Sequence, residues 1–137
     1  MQQATRDDAQ RWIAEAEKDL KDAELLLPDE GYYPLCRLAY LAAEKAVRAL
    51  VLGKGHQVAD RPTLGSLGQQ LEAAEPALRS LLMSLRPLQQ FAPPPQTGEP
   101  EGTPPSPPLY SREATKGALA LARQAVIAAK RYLTTPS

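Results

Sequence analysis

GYYPLCRLAYLAAEKAVRALVLGKG, residues 31–55, is the stretch on which the fold turns. Pro34 suits a first helical turn and Gly53 a stop, so the sequence predicts a helix over Tyr33–Leu52. At about 100° per residue, Leu35, Ala39, Ala42, Ala43, Ala46 and Leu50 share one face, while Arg37, Glu44 and Arg48 fall on the opposite one. Tyr40, Leu41, Val47, Val51 and Leu52 flank those charges. The helix is therefore apolar almost all round, with a narrow charged seam, where a peripheral helix would carry a broad polar face. It is either central to its own bundle or buried against a second subunit. In the second case Tyr40, Leu41, Val47 and Val51 form a dimer interface.

Working outward, Trp12, Ile13, Ala16, Leu20, Ala23 and Leu27 recur at spacings of three and four, predicting a first helix over Asp7–Leu27. Asp7 and Asp8 fall in its first turn, and Pro28 and Gly31 end it. After the loop 53–62, a short helix is expected over Thr63–Ala74, weakened by Gly65 and Gly68 at about 1 kcal/mol each. A fourth is expected over Pro76–Gln90, distorted in its last turn by Pro87. The last runs over Ser111–Leu133, with Ser111 as cap and Ala114, Ala118, Leu121, Ala122, Ala125, Ala129 and Tyr132 as its core stripe. No alternating strand pattern and no internal repeat is present. The expected fold is all-α: one domain over 1–137, an up-and-down bundle of four to five helices with a long Pro-rich loop before the last. That loop, PPPQTGEPEGTPPSPP at 93–108, is half proline. Proline at this density excludes helix and sheet, and antiparallel helices need only about 2–8 residues between them. The loop is a spacer or a strip for a partner's groove.

The 137 residues carry 16 basic and 16 acidic side chains, so no global field draws in nucleic acid or membrane. The charge is unevenly spread. Residues 1–30 hold nine acids against four bases (−5), and residues 111–137 one acid against five bases (+4). Opposite ends of this kind either neighbour each other in the bundle or leave the basic end open to anions. Arg112, Lys116, Arg123 and Lys130 line up on the outer face of the last helix as a possible anion ridge. No apolar run is long enough for a membrane span and no signal peptide is visible, so a cytoplasmic location is expected. Cys36 is the one cysteine and His56 the one histidine. That removes the usual zinc and di-iron ligand sets, and neither metal nor cofactor is expected. Cys36 reads as a packing residue, and His56 as a loop residue. LGKG at Leu52–Gly55 does not match a phosphate-binding G-x-x-x-x-G-K-[ST] loop.

The helix over Tyr33–Leu52, with Ala42, Ala43, Glu44, Lys45, Ala46 and Arg48, resembles the hallmark helix of the HEPN family, the domain named for nucleotide binding in higher eukaryotes and prokaryotes. The first helix is similar to the family's W-x-x-x-A-x-x-D-L-x-x-A opening at Trp12, Ala16, Asp19, Leu20 and Ala23, and the tyrosine-led last helix begins at Tyr110. The resemblance implies a bundle of four or five helices that is usually dimeric and often paired with a minimal nucleotidyltransferase. Some members are metal-independent RNase toxins of toxin–antitoxin pairs, marked by R-x(4–6)-H in a cleft shared by two subunits. Here seven residues separate Arg48 from His56, and positions 49–51, where that arginine would stand, are Ala-Leu-Val. Pro62 replaces a histidine, and the Pro-rich stretch replaces the Arg-Tyr-Pro, that many small prokaryotic members carry.

Arg37, Glu44 and Arg48 admit two accounts. One is an ion pair at i,i+4 worth a few tenths of a kcal/mol. The other is a phosphate site in which both arginines bind oxyanions and Glu44 orients them. Three functions follow: a dimeric binding module for a nucleotidyltransferase partner and for nucleotide or RNA phosphates; an RNase using Arg37, Arg48 or Arg86 with Tyr110; or a structural interaction module.

Overall fold

The computed structural model of the chain describes residues 2–28, 30–58, 62–92 and 111–134. The Pro-rich loop 93–108 and Tyr110 lie outside the described residues. The first helix, α1, spans Gln2–Leu26. It starts five residues before the expected Asp7 because nothing in QQATR breaks a helix, so Asp7 and Asp8 stand beyond its first turn. Asp8 pairs instead with Arg11 one turn on. The chain leaves α1 through Glu30, held at φ +59°, and the Gly31 amide caps the Leu26 carbonyl at 3.0 Å.

The second helix, α2, covers Tyr32–Gly53, with Pro34 in its first turn. Gly53 lies close against the last helix: a Cβ there would displace the end of the Leu133 side chain. The third, α3, covers Leu64–Ala74 and is capped by a reciprocal pair. Thr63 Oγ1 accepts from the Ser66 amide at 3.0 Å, and Ser66 Oγ accepts from the Thr63 amide at 2.9 Å.

The expected fourth helix is broken. A 3₁₀ turn at Pro76–Leu78 leads into α4, Arg79–Ser84, and a second 3₁₀ turn covers Arg86–Phe91. Pro87 removes an amide donor and excludes a continuous α ladder. The sequence accommodates this, because Leu85, Leu88 and Phe91, three residues apart, all turn inward as the tighter helix requires.

The last helix, α5, spans Arg112–Thr134, and Ser111 Oγ accepts from the Ala114 amide at 3.0 Å. Its buried stripe is Thr115, Ala118, Leu119, Ala122, Ala125, Val126 and Ala129. Ala114, Leu121 and Tyr132, expected in that stripe, are half-buried. The stripe is rotated to take in Leu119, Val126 and Thr115, whose hydroxyl accepts from the Cys36 thiol at 3.7 Å. Cys36 is fully buried, and burial pushes its thiol pKa up.

The layering can be read from side-chain pairs. Lys130 meets Glu17 at 3.1 Å and Arg123 meets Glu24 at 3.3 Å, so α5 runs antiparallel to α1. Cys36–Thr115 at one end and Gly53–Leu133 at the other set α5 parallel to α2. The molecule is an all-α up-and-down bundle in which α3 and α4 share the third position. The acidic and basic ends of the chain are thus direct neighbours. No helix among the described residues is long and apolar enough to cross a membrane.

The second helix is the axis of this bundle. It packs on α1, α5, α3 and the Arg86–Phe91 turn. Tyr40, Val47 and Val51 are at most 2% exposed within the single chain. They were expected at a dimer interface, but the chain's own α3 side covers them: the Tyr40 hydroxyl accepts from the Leu64 amide at 3.1 Å. Only Leu41 of that set keeps exposed surface.

Candidate functional site

The one strip of α2 that the bundle leaves partly open carries Arg37, Leu41, Glu44 and Arg48. It lies between α1 and α3. Lys45 and Arg48 mark the α1 wall and Tyr40 the α3 wall, and α1 and α3 make no substantial contact across it. Thus the sequence's charged seam is real, and it is half-buried instead of solvated.

Arg48 is the most constrained group in it. Its guanidinium carbon lies 4.2 Å from the centroid of the Trp12 ring, the only tryptophan in the chain. At this partial desolvation the stacking contributes about 1 kcal/mol. One terminal nitrogen approaches Glu44 Oε1 at 3.4 Å, which is long for a charge-assisted bond. The Nε atom is buried and has no hydrogen-bond partner among the described residues. Arg37 makes no hydrogen bond or ion pair among them either. The two arginines are eleven residues apart, about 16 Å along the axis, so one phosphate cannot be shared between them. An extended row of phosphates or a second copy of α2 can use both.

Glu44 sits between them with 14% of its side chain exposed. Burial raises its carboxyl pKa above the usual range, against the opposing effects of Tyr40, Arg48 and Lys45. Tyr40 is also raised by burial, its bond from Leu64 lowering it in part. Tyr40 therefore ties the α3 N-terminus to the seam. Tyr40→Phe leaves the Leu64 amide without its acceptor in a buried place and will cost about 1–2 kcal/mol in urea unfolding.

The other matched motif positions prove to be structural. Asp19 on α1, 8% exposed, lies 2.7 Å from Lys45 Nζ, with Oδ2 outside hydrogen-bond alignment, so the pair is held by charge. Ala16, Ala23, Ala42, Ala43 and Ala46 have no exposed surface and let the helices approach closely. A second polar cluster closes the far end of the bundle. Lys54 Nζ meets Glu75 Oε2 at 2.6 Å and stands 4.9 Å from the Tyr132 ring, whose hydroxyl donates to the same carboxylate at 3.1 Å. Lys54 raises and Glu75 lowers its pKa through this contact.

The other sequence candidates are placed elsewhere. Arg123 and Lys130 are paired to α1 carboxylates, so the ridge with Arg112 and Lys116 is half neutralised. Arg86 lines a separate cleft of about 350 Å³ between α3 and α4, away from Arg37 and Arg48. A groove of about 620 Å³ between the Arg86–Phe91 turn and α5 is apolar and carries none of the charged candidates. His56 is exposed in the loop after α2.

Comparison with known proteins agrees with this architecture. The crystal structure of ST0689, an archaeal HEPN homologue, is similar with a TM-score of 0.69 at 23% identity, over 92% of this chain and 98% of that one. At that identity the likeness concerns the fold. No curated protein sequence matches. The family model for the HEPN domain matches residues 9–132, from the start of the α1 core stripe to Tyr132 near the end of α5. The chain belongs to the HEPN domain family.

Proposed function

We propose that this protein is a dimeric binding module that holds nucleotide or RNA phosphates on the α2 seam and partners a minimal nucleotidyltransferase, without the R-x(4–6)-H cleavage pair. The observation that carries the reading is Arg48: half-buried, fixed over Trp12, with a buried Nε that no described residue satisfies. A buried, unpaired guanidinium donor is costly, and an oxyanion seated on the seam would relieve that cost. Arginine suits the task because its planar fork matches phosphate oxygens.

Dimerisation uses the open strip, with Leu41 as its apolar residue. An antiparallel pairing of two α2 helices centred between positions 37 and 48 lays Arg37 beside Arg48 of the partner subunit, and so brings together arginines that are too far apart in one chain. The Tyr40, Val47 and Val51 positions take no part.

Calorimetry with ATP and with a short single-stranded RNA tests the reading. Wild type binds both, Arg48→Gln weakens binding about tenfold or more, as expected for a charge-assisted contact, and total RNA stays intact without metal. Absence of heat at millimolar ligand defeats the phosphate reading. RNA cleavage that disappears in Arg48→Gln would establish the RNase alternative instead. Co-purification from the native cell tests the nucleotidyltransferase partnership.

A further inference from the structure

We propose that the seam is a proton-coupled anion site: seating a phosphate-type oxyanion on Arg48 drives a proton from solvent onto the Glu44 carboxylate. The inference rests on the phosphate reading above and adds its regulation. Glu44 and the incoming anion compete for one guanidinium. Glu44 Oε1 already occupies the Arg48 terminal nitrogen at 3.4 Å, and the two side chains are only 14% and 18% exposed. An oxyanion that reaches Arg48 therefore meets a like charge in a half-desolvated place. Like charges so close disfavour joint ionisation, and the carboxylate is the group able to discharge.

The surroundings favour that outcome. Burial already shifts the Glu44 pKa upward, in the direction of proton uptake. The charged and titratable groups around it on α2 are Arg37, Tyr40, Lys45 and Arg48. From α1 come neutral Trp12, beneath Arg48, and Asp19 and Glu15, both engaged with Lys45. From α3 comes the uncharged Leu64 amide, on Tyr40, and in the proposed dimer Arg37 of the partner subunit adds a cation beside Arg48. When Glu44 takes up a proton, its neutral carboxyl remains beside the Tyr40 hydroxyl, Arg48 is released to the anion, and the net charge of the pair rises by one. No other bond changes.

Proton uptake makes affinity pH-dependent with a definite sign. Above the Glu44 pKa, binding must also protonate the carboxylate, so affinity falls as pH rises, approaching about tenfold per pH unit. Below it, affinity is flat.

Inorganic sulfate is the probe, because it stays a dianion from pH 5 to 8, and Trp12 beneath Arg48 is the fluorescent reporter. For the wild-type chain, the sulfate dissociation constant rises at least tenfold between pH 5.5 and 8. For Glu44→Gln, which keeps the side-chain shape, it is pH-independent and at pH 8 at least tenfold lower than wild type. A wild-type constant that does not change with pH, or the same slope in Glu44→Gln, overturns proton coupling and leaves the phosphate reading standing. No response at any pH in either protein overturns both. Arg48→Gln serves as the control and shows no saturable response.

Discussion

A leucine at position 46 will destabilise the fold by about 3 kcal/mol, the upper part of the range for overpacking a core. Ala46 has no exposed surface and lies on the face of α2 between α1 and α5. It belongs to a core cluster rich in small residues, with Ala9 and Ala16 on α1 and Ala118, Ala122, Ala125 and Ala129 on α5, all within 3% of full burial. Three helices brought this close leave no space for three more carbons, and the side chain has no exit to solvent. The loss will appear as a lower urea midpoint with an unchanged slope. A leucine at Ala120, exposed on α5, will leave the midpoint within about 0.5 kcal/mol of wild type.

Lys45→Ala will cost about 2–3 kcal/mol, somewhat less than the 3–5 of a wholly buried pair, because 20% of the lysine side chain reaches solvent. The mutation strands Asp19, which has 12% of its side chain exposed and no hydrogen-bonding partner to replace the ammonium. Asp19→Ala combined with Lys45→Ala will recover a substantial part of the loss. A double variant as unstable as the sum of the two singles would show that the residues act independently.

Much of this was legible in the sequence. The α2 boundaries, the capping serine at 111 and the neighbouring acidic and basic ends follow from helical phase, turn chemistry and charge counting. The α2 pattern even posed the right alternative, central helix or subunit interface, but phase alone cannot say which element covers a face. Tyr40, Val47 and Val51 are covered by the side on which α3 lies, a fact of tertiary register. The same limit hid Trp12 beneath Arg48 and Asp19 against Lys45, since either pairing needs the offset between two helices. The broken segment 76–91 was half visible: Pro87 marked the distortion, and the three-residue spacing of Leu85, Leu88 and Phe91 was the sign that the tighter helix had replaced the α ladder. The seam itself, Arg37, Glu44 and Arg48, was found as a stripe. Its half-burial, which separates an anion site from an ordinary surface pair, required the walls supplied by α1 and α3.

The most direct test of the α2 seam as the phosphate-holding surface is a crystal structure of the protein with ATP bound. The account predicts phosphate oxygens within hydrogen-bond distance of the Arg48 guanidinium, the Nε atom included, with the Trp12 stack preserved and the Glu44 contact opened. Phosphates seated instead on Arg112 and Lys116, with Arg48 still closed on Glu44, would contradict it.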